Sequence, residues 1–298
     1  MKLKMRDTAL LILAALPIAG GMALKVLTAP PAGDMEITGA QVYFTLNTPI
    51  QPLPITETQV NSWIVLLSLF WVCLFLTRGM TPRGTGTRQL IAEWIVEQTE
   101  KLVEQNMGPF FMGFSPFIGA VLALSAFSSL LSLVGLFPPT SDINTTAGWA
   151  LVVALLITWY KLKCGLGYYV KSFCEPTPVM FPMNIVSEIA TPFSMAFRHY
   201  GNILSGTVIS ALLASALQGL SRALLGWLPG GLGRVPFLQI GIPAVLSIYF
   251  DLFSGALQAF IFAMLTMLYV AGGFSEEVYE ARTSRRKAEV RKTAEQNA

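Results

Sequence analysis

Six apolar runs of membrane-crossing length, at roughly 8–28, 62–77, 115–137, 147–161, 184–216 and 237–273, constrain this chain more than any motif does. An α-helix needs about 20 apolar residues to cross a hydrocarbon core about 30 Å thick. Inside lipid, only helices and closed barrels satisfy their own backbone N–H and C=O groups. With 53% hydrophobic and 12% charged residues, the chain reads as an all-α integral membrane protein with five or six membrane-crossing helices.

The same runs exclude other classes. No GxxxxGK[ST], HExxH or strand-flanked GxGxxG is present, so neither a nucleotide nor a metal is expected on this chain, and no cofactor. Cys73, Cys164 and Cys174 lack metal-ligand spacing, and the single histidine, His199, rules out an imidazole cluster. The pI of about 8.8 reflects loop lysines and arginines. These set membrane orientation rather than nucleic-acid binding.

Orientation follows from those charges. Placing Lys2, Lys4 and Arg6 inside brings Arg78 to Lys101, Lys161 to Lys171 and Arg282 to Lys292 inside as well, which accounts for 16 of the 20 basic residues. Lys25, Arg222 and Arg234 are left at the outer side, and Arg198 within the membrane. The chain divides into an N-terminal hydrophobic segment 1–28, an outer segment 29–61, a membrane ion-channel domain 62–273 and a cytoplasmic charged tail 274–298. Residues 1–28 read equally as an extra helix or as a secretory signal, with a basic start and an apolar run from Ala9 to Leu24.

Two segments depart from upright crossings. From Gln89 to Glu104, Leu90, Ile91, Trp94, Ile95, Leu102 and Val103 alternate with four glutamates, which predicts an amphipathic helix along the cytoplasmic interface. The last two runs are too long, since 37 helical residues would reach about 55 Å. Pro236 and Pro243 lie at the start of the last run, so steep tilt is expected rather than a break.

Charge inside lipid is the functional clue. Arg198, in PFSMAFRHYGNILSG, shares residues 184–228 with only Glu188, His199 and Arg222 as other charged or imidazole groups. An arginine at mid-helix costs about 2.5–3.5 kcal/mol on insertion scales, so it has a task or a partner. Ser187, Thr191, Ser194, Arg198, Asn202 and Ser205 share one helical face, and Ser247, Asp251, Ser254 and Gln258 share another. Interhelical glue accounts for the hydroxyls but not for Glu188, Arg198 and Asp251. Glu188 lies about 15 Å to the inner side of Arg198. Asp251 is reached from the outer face. A carboxylate on each side of a fixed cation can pass protons or cations while the cation blocks a straight leak. A plain Arg198–Asp251 ion pair competes with that reading. His199 is expected to be packed or hydrogen-bonded.

PITETQVNSWIV, PPTSDINTT, FRHYGNILSG and LQAFIFAMLTMLY together resemble one family, subunit a of the rotary F-type ATP synthase, along most of the chain. The resemblance implies a non-catalytic, stationary ion-translocating subunit. Its two half-channels would carry protons, or sodium, to and from the c-ring during ATP synthesis, in the inner membrane of a bacterial cell. It makes Arg198 the essential arginine facing the c-ring carboxylates, matches Asn202 and Gln258 to polar residues of the ion path, and matches Glu188 to a glutamate ahead of the proline at Pro192. It also implies that the amphipathic segment contacts the b subunits of the peripheral stalk. Two positions depart from the best-studied members: Thr207 stands where they have glutamate, and Asp251 where they have histidine. The alternative is an ion-coupled secondary transporter, although no inverted repeat is visible.

Overall fold

The computed structural model describes residues 5–28, 39–49, 51–81, 84, 86–226, 245–246 and 248–284. Six helical stretches in it are long and apolar enough to cross a membrane: Met5–Thr28, Glu57–Thr77, Pro109–Val134, Ile143–Cys164, Pro178–Leu224 and Ile248–Gly272. The helices used below are α1 (Met5–Thr28), α2 (Glu57–Thr77), α3 (Thr87–Met107), α4 (Ser115–Leu130), α5 (Ile143–Cys164), α6 (Leu166–Cys174), α7 (Phe181–Leu225) and α8 (Gly255–Gly272). The protein is an all-α integral membrane protein, as its apolar runs predict.

Between α1 and α2 the chain forms an antiparallel hairpin of β1 (Val42–Asn47) and β2 (Pro52–Thr56), with Phe44 opposite Ile55 and Leu46 opposite Leu53. The sequence reads there only as an outer polar segment, because Pro52 and Pro54 mask the strand pattern. Proline is tolerated in a two-stranded ribbon, where each strand is an edge.

The core forms where α3, α4, α5, α7 and α8 converge. Val103, Ile118, Val153, Met195, Phe262 and Met267 are buried there together. The amphipathic segment is the helix α3, but its apolar residues divide. Val103 and Met107 enter the core, whereas Leu90, Ile91, Trp94 and Ile95 stay exposed on the earlier turns.

Local chemistry fixes the ends of α5. Asp142 caps it by accepting the Asn144 N–H at 2.9 Å, and Lys161 and Lys163 occupy the last turn, where cations oppose the helix dipole. Gly165 follows with φ of 115°, a conformation that disfavours side chains. A Cβ there would also lie 3.0 Å from the Arg282 guanidinium, which donates to the carbonyls of Leu162 and Lys163 in the last turn.

α7 is one helix of 45 residues, about 68 Å long, more than twice the hydrocarbon thickness, so it fits a membrane only when steeply tilted. Pro192 lies within it and lacks the N–H that would bond the Glu188 carbonyl, yet the helix continues. The last span differs from the regular helix expected of it. Ile248–Ser254, around Asp251, is π-helical before α8 begins, while residues 237–244 and Ser247 lie outside the described residues. The wide turn occurs beside an unusually close approach, because a Cβ on Gly255 would come within 2.5 Å of Ser129 Cβ. Inserted π turns are common at functional sites.

Candidate functional site

The polar stripe on α7 connects two separate cavities. The first, about 460 Å³, opens between α5, α6, α7 and the end of α8, and Lys161, Asn184, Ser187, Glu188 and Thr191 line it. Within it the Lys161 ammonium lies 3.0 Å from Glu188 Oε2, with both side chains about four-fifths buried. The Tyr169 hydroxyl is 3.4 Å from Glu188 Oε1. Burial, with Glu188 beside it, pushes the Tyr169 phenol up, so it remains a neutral donor. Lys161 and Glu188 belong to helix ends that the basic clusters place on the inner side.

The second cavity is narrow and lies towards the other end of the stripe. Ser129, Ser132, Asn202, Gly206, Asp251 and Gly255 line it. Ser132 lies beside Asp251 there, with its hydroxyl donating to the Ser129 carbonyl at 2.6 Å. Asn202 and Ser254 bond each other there, Ser254 Oγ donating to Asn202 Oδ1 at 2.9 Å. Gln258 lies one turn beyond Ser254 and is buried, and its Nε2 has no hydrogen-bond partner among the described residues.

Arg198 falls between the two. It lies seven residues after Thr191 and four before Asn202, about 10 Å and 6 Å along the axis. Its side chain is exposed, on the same face of α7 as the exposed Ser187, Ser194 and Ser205. Among the described residues Arg198 has no hydrogen-bond or ion-pair partner, and the five ion pairs of the described residues do not include Asp251. The Arg198–Asp251 pair that the sequence allows is therefore not formed. The arginine faces away from its own chain.

The neighbouring histidine is packed. His199 is fully buried, with Nε2 3.2 Å from Ser125 Oγ and its ring edge-on to Trp149 and Phe262. That contact fixes the rotation of α7, because burying position 199 turns position 198 outward by about 100°. Thr207 is exposed and spends its hydroxyl on the Ile203 carbonyl of its own helix, so it contributes nothing to the Asp251 cavity.

The structure places Asn202 and Asp251 on one cavity, Gln258 a turn beyond Ser254, and Glu188 on the other cavity. Sequence reasoning missed Lys161, counted only as an inner-loop charge, and the serine face of α4. Ser125, Ser129 and Ser132 are spaced by four and three residues, a visible helical stripe.

Comparison with known proteins adds an independent finding. Residues 59–271 match the family described as ATP synthase A chain. The chain is 31% identical over 228 residues to ATP synthase subunit a 1 of Crocosphaera subtropica, covering 76% of this chain and 90% of that one. It is 34% identical over 221 residues to ATP synthase subunit a of Desulforamulus reducens, covering 72% and 78%. A third relative, of Propionigenium modestum, is named ATP synthase subunit a, sodium ion specific; identity is 30% over 244 residues, 76% of each chain.

Proposed function

The chain belongs to the ATP synthase A chain family and is a non-catalytic, ion-translocating membrane subunit of the F-type ATP synthase, and from that premise we propose how its residues divide the work. An ion enters from the outer side through the Asp251 cavity, past Asn202 and Gln258. It neutralises a carboxylate on an adjoining ring of c subunits and travels with the ring. It leaves through the inner cavity past Glu188. Arg198 meets each ionised ring carboxylate and keeps the two half-paths apart.

The observation that carries this reading is the order along α7: inner cavity, outward-facing arginine, outer cavity. A continuous pore would need no ring. Two separate cavities on either side of a fixed cation call for a mobile carrier of opposite charge to connect them. Carboxylate, amide and hydroxyl groups accept either a proton or a sodium ion, and ATP-driven transport with and without sodium separates the two. Family membership sets aside the secondary-transporter alternative.

The protein is a multi-pass membrane subunit of a larger complex. Its finer placement follows from the same reading. The exposed face of α7 around Arg198 meets the c-ring, the exposed apolar face of α3 meets peripheral-stalk b subunits, and the membrane is the bacterial inner membrane. Residues 62–273 form the channel domain, with 29–61 outside and the tail 274–298 in the cytoplasm. The test is purification through a tag on this subunit, followed by mass spectrometry of what comes with it. Subunits c and b are expected at stoichiometric levels. Recovery of the subunit alone, or with unrelated proteins, contradicts the assignment.

A further inference from the structure

The family match begins at residue 59, which leaves α1 and Glu57 outside it. These residues nevertheless make some of the most specific contacts in the structure. Leu10, Ala14, Ile18, Gly21 and Lys25 follow one another at spacings of four, four, three and four, a single face of α1. Leu10, Ala14 and Gly21 on it are buried, and Ile18 packs against the cluster of Val65, Leu131 and Leu136. Gly21 makes room for the Ile64 side chain, since a Cβ there would lie 2.5 Å from Ile64 Cδ1, which would have to turn aside.

An ion pair closes each end of this face. Towards the inner end, Arg88 at the start of α3 donates to Asp7 Oδ1 at 3.0 Å. At the outer end, Lys25 Nζ is 3.1 Å from Glu57 Oε1, and the Glu57 side chain is only 4% exposed. The same Glu57 oxygen receives the Phe137 N–H at 3.4 Å. Phe137 leads into Pro138, which walls the Asp251 cavity. With α1 in place, Glu57 is enclosed and Lys25 is its counter-ion. A buried carboxylate without a partner is strongly destabilising.

We infer that residues 5–28 remain in the working subunit as a membrane helix clamped by an ion pair at each end, with Lys25 as the counter-ion of Glu57, rather than leaving as a cleaved signal. Of the two readings that the N-terminal sequence allows, the contacts select the helix. The inference is independent of the ion path, because its test reads the N terminus and the amount of subunit rather than transport.

Intact-mass measurement of the subunit in the detergent-extracted complex is the first arm. A mature chain that includes residues 5–28 is expected; one that starts after residue 28 overturns the inference. Charge reversal is the second arm. Lys25→Glu and Glu57→Lys should each lower the amount of subunit in the assembled complex roughly tenfold, and the double reversal should return it to within about threefold of the unaltered protein. A double variant no more abundant than either single one removes Lys25 as the counter-ion.

Discussion

Asn202 and Ser254 hold each other through two hydrogen bonds, the Ser254 hydroxyl donating to Asn202 Oδ1 at 2.9 Å and the Asn202 amide donating to the Ser254 carbonyl at 3.3 Å. The pair locks α7 to the start of α8 about one turn from both Arg198 and Asp251. It places the outer cavity at a fixed height relative to the arginine. Interhelical bonds in membranes contribute about 0.6 kcal/mol on average and rarely more than about 1.7. Asn202→Ala should therefore leave the complex assembled while slowing ATP-driven ion transport severalfold. Abundance and transport measured on the same vesicles check this, and unchanged transport would remove Asn202 from the path.

The Lys161–Glu188 pair makes a different prediction. Breaking a buried pair costs roughly 3–5 kcal/mol, and less where water reaches it, as in this open cavity. Lys161→Met should lower the amount of assembled subunit by leaving Glu188 unpaired. Adding Glu188→Gln should restore that amount, because the neutral amide needs no cation. Transport should stay low in the double variant if Glu188 serves the inner half-path. Equal loss of subunit in the single and double variants would show that the pair is not what Lys161 contributes.

Asp251 shares its cavity with Ser129, Ser132 and Asn202 and is unpaired with Arg198 among the described residues. Asp251→Asn keeps the size and a polar oxygen while losing the ionisable group. The arginine loses no partner by the change. The expected result is a normally assembled complex with strongly reduced passive ion flux. Normal flux would exclude Asp251 from the pathway. Loss of assembly would mean that its charge is structural.

Much of this organisation is legible in the sequence, and the exceptions share a cause. Apolar runs disclose the spans, because lipid imposes one simple requirement on composition. Arg198 is conspicuous because a charge there is costly. The β1–β2 hairpin is hidden by Pro52 and Pro54. Lys161 looks like an ordinary inner-side lysine until α5 and α7 pack and bring it to Glu188, 27 positions away. Glu57 reads as an outer polar residue, and only the packing of α1 shows that it is buried and neutralised by Lys25. The π-helical turn at Asp251 lies beside the close packing of α4 against the start of α8, which no local pattern encodes. His199 matches its expectation as a packed residue, while its effect of turning Arg198 outward needs the three-dimensional contacts with Ser125, Trp149 and Phe262.

ATP-driven ion pumping by membrane vesicles carrying Arg198→Ala tests the central claim most directly. The side chain is exposed and has no partner among the described residues, so the variant complex should assemble in normal amounts. Pumping should be abolished, because nothing then separates the Asn202–Asp251 cavity from the Glu188 cavity or meets the ring carboxylates. Arg198→Lys should not restore it fully, since an ammonium lacks the planar, permanently charged fork of a guanidinium. Assembled Arg198→Ala complexes that pump at the normal rate would contradict the account.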